Sequence, residues 1–103
     1  MPRLAHHVFF TLEDSTDGNI TTLIKACQTY LTGHEGVAEF SVGRRVPDLN
    51  RPVNAHYDVS LHVVFDDRAA HDAYQIAPRH LEFIAEQKTT WKQVQVFDSD
   101  LES

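Results

Sequence analysis

The order in which strand and helix patterns follow one another is the feature that most constrains the fold of this chain. Branched and aromatic residues, partly alternating, predict strands over residues 6–12, 37–46, 57–65 and 92–97. Apolar residues recur at helical spacing over residues 20–31, and Gly33 ends that helix. A second helical region begins after Asp66 and Asp67, whose carboxylates are good caps, and runs to about residue 87. The order is therefore strand, helix, strand, strand, helix, strand.

This order is that of the ferredoxin-like βαββαβ protomer, an α+β fold whose helices cover one face of a four-stranded antiparallel sheet. Phe9, Val64 and Phe97 are expected on the opposite face, beside His7, Ser60 and His62. Sizeable apolar side chains make a poor solvent-facing surface, whereas face-to-face packing of two sheets buries them. The pattern therefore predicts a homodimer that associates through its sheet faces.

Length, charge and cysteine content limit the classes of protein that fit. A chain of 103 residues predicts a single domain over residues 1–103, with a core from about 4 to 98 and a short acidic C-terminal tail. A net charge of −6 with scattered basic residues argues against nucleic-acid binding. The single Cys27 cannot form an intrachain disulfide, which favours a cytoplasmic location. Without a long apolar run or a signal-peptide pattern, we expect neither a membrane span nor a leader.

A proline in the second helical region points to the candidate site. Pro78 fits the first turn of a helix and disrupts a helix interior, so it predicts two short helices meeting near Ala77. The bend would turn Tyr74 and His80 toward one pocket. A Tyr–His pair can abstract or relay a proton. The same pair could instead be a hydrogen-bonded part of the core, since buried tyrosines and histidines usually have partners.

The seven histidines raise the alternative of a metal site. Zinc requires three or four converging ligands, and no two histidines have the H-x-x-x-H spacing that brings them together on a helix. His6 and His7 point to opposite faces of a strand, so they cannot share an ion within a protomer. We therefore expect no metal site, although His7 and His62 could meet on the dimer face and offer four imidazoles per dimer.

Residues spread along the chain resemble the stress-responsive dimeric α/β barrel (Dabb) domain family. The resemblance covers nearly the whole length and implies a ferredoxin-like protomer that dimerises through its sheet. The residues that carry it are His6-His7-Val8-Phe9-Phe10, Gly43, Tyr57-Asp58, Phe65-Asp66, Tyr74, Pro78, His80-Leu81-Glu82-Phe83, Trp91 and Val96-Phe97-Asp98.

The resemblance also implies roles for single residues. A plant polyketide cyclase of the family closes a ring by an aldol-type reaction without metal or organic cofactor, and its catalytic tyrosine and histidine correspond here to Tyr74 and His80. His6 matches a first-strand histidine that faces the same cavity. This chain departs from the family at Ala77, where a second histidine is frequent, and at Arg79, where a small residue is usual. The implied cavity-lining residues are Leu23, Ile24, Cys27, Leu61, Val63, Phe83, Val94 and Val96.

Two functions of different classes remain open. In the first, His80 removes a proton next to the carbonyl of a small, partly apolar compound, and Tyr74 hydrogen-bonds the oxygen that becomes negative. In the second, the protein is a non-catalytic stress-associated or ligand-binding dimer. An open cavity, gated by residues 47–55 or by Arg79, favours the first. A sealed core with both side chains satisfied by protein atoms favours the second.

Overall fold

The chain folds into a four-stranded antiparallel sheet covered on one face by helices, as the predicted fold class requires. The computed structural model describes residues 2–49 and 56–102. The elements along the chain are β1 (Leu4–Leu12), α1 (Asp17–Tyr30), β2 (Val37–Arg44), β3 (Val59–Phe65), α2 (Arg68–Gln75), α3 (Pro78–Gln87), a 3-10 turn (Lys88–Thr90) and β4 (Trp91–Asp100). The strands lie in the order β2-β3-β1-β4, so β1 and β3 are central.

Helix α1 begins three residues earlier than the apolar pattern predicts. Thr16 is its N-cap, and the Thr16 hydroxyl accepts a hydrogen bond from the backbone N–H of Asn19. The first turn carries no apolar residue before Ile20, so periodicity alone misses it. Gly33 follows the helix with a positive φ of 74°, a conformation that favours glycine.

The helix break at Pro78 is as predicted. Asp67 caps α2 by accepting a hydrogen bond from the N–H of Ala70. Ala77 is extended, with φ −63° and ψ 138°, because the ring of a following proline disfavours helical geometry at the preceding residue. Pro78 then opens α3 at the position where its missing N–H costs nothing.

The core lies between the helices and one face of the sheet. Alternate residues of the two central strands contribute Val8, Phe10, Leu61 and Val63, all at most 5% exposed. Helix α1 adds Leu23 and Cys27 from its apolar side. None of the helices in the described ranges is long and apolar enough to cross a membrane.

The opposite face of the sheet carries aromatic and imidazole rings. The rings of His7 and His62 lie 4.6 Å apart, and those of Phe9 and Phe97 lie 6.0 Å apart. Phe97 is 53% exposed, whereas Val64 is only 2% exposed within the protomer. Val64 lies on a central strand, so neighbouring strands flank it on both sides. Val64 was expected to expose apolar surface on this face, but it is covered, and Phe97 on edge strand β4 is the residue that exposes it.

Several boundaries differ from the sequence prediction. Strand β2 ends at Arg44 and β3 begins at Val59, each two residues inside its predicted limit. Strand β4 extends to Asp100, three residues beyond its predicted end, so the start of the acidic tail expected after about residue 98 belongs to the sheet. Antiparallel pairing with β1 holds this end of β4, with Asp98 opposite His6. The predicted gating loop over 47–55 falls largely on residues 50–55, outside the described residues.

Candidate functional site

A cavity of about 400 Å³ opens between the inner face of the sheet and helices α2 and α3. The three polar residues assigned to the site by sequence, His6, Tyr74 and His80, all line it. The cavity is also lined by four of the apolar residues assigned to it, Leu61, Phe83, Val94 and Val96. Its walls are mostly apolar with a few polar groups, as in many small-molecule sites.

The other residues assigned to the cavity lie in the core instead. Leu23, Cys27 and Val63 are at most 1% exposed, and Ile24 packs against the same cluster. Burial raises the pKa of the Cys27 thiol to about 12, so this cysteine stays protonated at neutral pH. Spacing alone placed these side chains on the apolar side of their elements. Which of these side chains border the cavity, and which are covered by other core residues, depends on how α1 packs across the sheet.

Tyr74 and His80 lie against one another across the helix break. Their ring centroids are 4.5 Å apart and the rings are tilted by 54°. Tyr74 occupies the last turn of α2, and His80 the first turn of α3. Both side chains are buried, at 2% and 8% exposed. The bend at Pro78 therefore brings the pair together in the lining of the cavity.

Three buried polar atoms around this cavity lack a hydrogen-bond partner among the described residues. They are the hydroxyl of Tyr74, Nδ1 of His80 and the indole Nε1 of Trp91. Buried polar groups are normally paired, and leaving one unpaired costs about 1–3 kcal/mol. All three residues line the same cavity. Each of the three atoms is itself buried, so a hydrogen-bonding ligand in the cavity would contact it only after neighbouring side chains move.

Burial sets the protonation states of the pair. It is the main cause that lowers the pKa of His80, assisted by His6, His34 and His71, while a hydrogen bond to the backbone of Gln75 acts in the opposite direction. Burial also raises the pKa of the Tyr74 hydroxyl. At neutral pH the imidazole is therefore neutral and able to accept a proton, and the phenol keeps its proton and can donate a hydrogen bond.

A second polar group, from the sheet and from helix α2, also lines the cavity. Nδ1 of His6 is 2.5 Å from Oδ1 of Asp98, and Nε2 of His71 is 4.0 Å from that same oxygen. The rings of His6 and His71 are 5.4 Å apart. Nδ1 of His71 also lies 2.9 Å from Oδ1 of Asp72. Among the described residues, His6, His71 and Asp98 form a group that could supply nitrogen and oxygen ligands to a metal ion.

Sequence reasoning missed His71, Asp98 and Trp91. His71 lies three residues before Tyr74, so both share one side of α2, and that spacing is a usable signal. Asp98 shares the alternating set of Val94 and Val96, which was already assigned to the cavity. Trp91 is the first residue of β4 and gives no comparable signal.

The two departures from the family pattern have different surroundings. Ala77 is the N-cap of α3 and makes no side-chain capping bond. The guanidinium of Arg79 donates to the backbone carbonyls of Thr32, at 2.8 Å, and Thr29, at 2.5 Å. These carbonyls lie at the C-terminal end of α1, where cationic donors are favourable. Arg79 therefore ties α3 to α1.

Comparison with solved structures places this fold among small ferredoxin-like proteins. A Dabb family protein from Mesorhizobium loti is 21% identical, with each chain fully covered and a TM-score of 0.82. A dimeric ferredoxin-like protein of unknown function from Thermobifida fusca is 17% identical over 97% of this chain and 92% of its own, with a TM-score of 0.82. The hydroxynitrile lyase of Passiflora edulis is 14% identical over 99% of this chain and 95% of its own, with a TM-score of 0.83. At these identities the likeness shows the fold.

Family membership follows from the sequence as a whole. No curated protein sequence is significantly similar to this chain. The family model described as Stress responsive A/B Barrel Domain, or Dabb, matches residues 4–101, from the first residue of β1 to just beyond β4. The chain therefore belongs to the Dabb family.

Proposed function

We propose that this protein performs cofactor-independent acid–base chemistry, of a cyclase or lyase type, on a small carbonyl compound held in the cavity. The observation that carries the proposal is the contact between Tyr74 and His80, whose buried Oη and Nδ1 have no partner among the described residues. A carbonyl oxygen and an adjacent acidic C–H group would complement these two atoms.

The protonation states of His80 and Tyr74 suit the roles of base and hydrogen-bond donor. Nδ1 of the neutral His80 removes a proton from the carbon next to the carbonyl, and the C–H electron pair moves into the carbonyl to give an enolate. The hydroxyl of Tyr74 donates a hydrogen bond to the enolate oxygen as its charge develops. In a cyclase-type reaction the enolate carbon attacks a second carbonyl of the same molecule, and His80 returns its proton to the alkoxide formed.

A lyase-type reaction runs through the same two groups. His80 removes the hydroxyl proton, and the O–H electron pair forms the carbonyl as the bond to the carbon leaving group, such as cyanide, breaks. The leaving group departs with the electron pair of that bond and takes the proton back from His80. The hydroxynitrile lyase of Passiflora edulis supports this alternative, because its protomer has the same fold. The indole N–H of Trp91, a donor without a partner among the described residues, offers a further hydrogen bond to an acceptor on the ligand.

We further propose that the protein is a single-domain cytoplasmic homodimer that pairs through the open face of its sheet. Phe97 and Phe9 would lie at the centre of this interface, and the half-exposed ring of Phe97 supports it. Several structures of similar fold are described as dimeric. Face-to-face pairing would bury the apolar surface that the protomer leaves open.

A binding role without catalysis is the second candidate. The mostly apolar walls, with Leu61, Phe83 and Val96 among them, favour it, since they suit retention of an apolar molecule. The two roles differ in whether bound ligand exchanges protons with the protein.

Proton exchange in D2O separates the two roles. The probes are 2,4-pentanedione and acetophenone, whose α-hydrogen loss is followed by proton NMR, and benzaldehyde cyanohydrin, whose cleavage is followed by ultraviolet absorbance. We expect wild-type protein to accelerate at least one reaction, and His80→Ala to reduce that rate by about 10²–10⁴-fold. The matched controls, His56→Ala and Tyr30→Phe, change residues outside the lining of this cavity and should keep the wild-type rate. Binding of the probes to the cavity without any exchange would favour the binding role.

A further inference from the structure

We propose that His6, His71 and Asp98 form a binding site for a divalent first-row transition metal ion in the wall of the cavity. One ligand atom from each residue lies within 4.8 Å of the other two. Two imidazoles and a carboxylate are a donor set that zinc and its neighbours bind. This site goes beyond the proposed acid–base function, which does not require it, and departs from the expectation of a metal-free protein.

His71 is oriented as a metal ligand would be. Its Nδ1 lies 2.9 Å from Oδ1 of Asp72, and Nε of Arg68 holds the same carboxylate oxygen from a distance of 2.9 Å. Donation of the Nδ1 proton to Asp72 leaves the lone pair on Nε2, the nitrogen nearer Asp98. A carboxylate that fixes the tautomer of a histidine is the usual outer partner of a metal-bound imidazole.

Small movements would bring the three ligands to coordination distance. Ligand atoms about 2.0 Å from a tetrahedral ion are about 3.3 Å apart. The observed 2.5 Å between His6 and Asp98 must open and the 4.0 Å between His71 and Asp98 must close. Asp98 can supply both of these changes, because its side chain is 41% exposed and lies on the edge strand β4. The third separation, between the ligand nitrogens of His6 and His71, is within 4.8 Å and would be adjusted by a shift of the imidazole rings. The ion would take the place of the proton between His6 and Asp98.

The position of the site leaves room for a further ligand. All three residues line the cavity, so a three-coordinate protein site would present its fourth position to the cavity interior. The ring of Tyr74 lies 6.1 Å from that of His6, so the ion would sit beside the acid–base pair. The structure thereby distinguishes this site from the His7–His62 pair, which lies on the opposite face of the sheet.

Calorimetric titration with ZnCl2 tests the site in the full chain after treatment with EDTA and dialysis. We expect one ion per chain, and a loss of affinity of at least about tenfold in His71→Gln and in Asp98→Asn. Asp72→Asn should weaken binding by about 10–100-fold, since it removes the group that orients His71. The control is the double variant His7→Gln, His62→Gln, which keeps both proposed ligand imidazoles, His6 and His71, and should bind as wild type does.

A cobalt titration provides a second readout, because d–d absorption reports nitrogen and oxygen coordination without relying on heat. Absence of binding by wild-type protein, or equal affinity in Asp98→Asn and wild type, would overturn the site. Loss of metal binding in the His7, His62 double variant would assign the ion to the open face of the sheet, and this result would overturn the site as well. Asp98 lies on the exposed edge, so its variant remains informative if His71→Gln folds poorly. Proton exchange measured with and without EDTA reports separately on the acid–base function.

Discussion

The Tyr74 ring packs against the imidazole of His80 at 4.5 Å, yet the hydroxyl of one and Nδ1 of the other are buried without a partner among the described residues. A pair whose only role was to fill the core would be expected to satisfy those atoms within the protein. Both residues line a cavity of about 400 Å³, and under the proposed function ligand atoms would replace the missing partners.

Tyr74→Phe should separate activity from stability. The change removes a hydroxyl that has no partner among the described residues, so we expect the free energy of unfolding to stay the same or rise by up to about 1 kcal/mol. Proton exchange should fall by about 10²-fold, the usual effect of losing a donor to a developing oxyanion. Urea denaturation and the exchange assay measure the two effects. A clear loss of stability would indicate that the hydroxyl has a partner in solution and belongs to the core.

The lowered pKa of His80 predicts an acid-sensitive fold. Tyr74, His6, His34 and His71 face this imidazole, and the three other histidines oppose its protonation. In the unfolded chain the pKa of this histidine is near its ordinary value of about 6.5, so the unfolded chain binds this proton more readily than the folded chain does. The free energy of unfolding therefore decreases as the pH falls below about 6.5.

The contribution of His80 to this loss of stability at low pH is isolated by comparison with the variant His80→Gln. Between about pH 7.5 and 5.5 the wild type should lose more free energy of unfolding than the variant does, as measured by urea denaturation at each pH. Equal losses in both proteins would show that His80 is not the group responsible.

Phe97→Glu should weaken the homodimer. The half-exposed ring would be replaced by a charge that the interface leaves unpaired. Sedimentation velocity at micromolar concentration should show a dimer for the wild type and monomer for the variant. Ile76→Glu serves as a control, because Ile76 is 74% exposed at the helix break and lies away from the sheet face. A monomeric wild type would rule out the dimer.

Arg79→Met tests whether this residue gates the cavity or fastens the helices. The variant loses two hydrogen bonds to the carbonyls of Thr29 and Thr32, so we expect a cost of up to about 1 kcal/mol, or about 4–8 °C in Tm. The exchange rate should stay within about twofold of the wild type. A large increase in exchange with unchanged Tm would instead identify Arg79 as a gate.

Local patterns determined the secondary structure and its order. The alternation in the strands, the cap at Asp67 and the effect of Pro78 on Ala77 depend on residues close together in the chain. For that reason the βαββαβ order and the helix break carrying Tyr74 and His80 could be predicted. Boundaries were less certain where the first turn of α1 carries no apolar residue, and where pairing with β1 extends β4 to Asp100.

Only the tertiary structure decided which inward-facing residues surround a void. Leu23 and Cys27 share the apolar side of α1, but other core residues enclose them completely, whereas Trp91 reaches the cavity from the start of β4. The pairing of β1 with β4 places Asp98 opposite His6, although 92 residues separate them in the chain. Periodicity reports which side of an element a residue occupies. Whether that side meets protein or empty space depends on contacts between distant segments, and these form only in the folded chain.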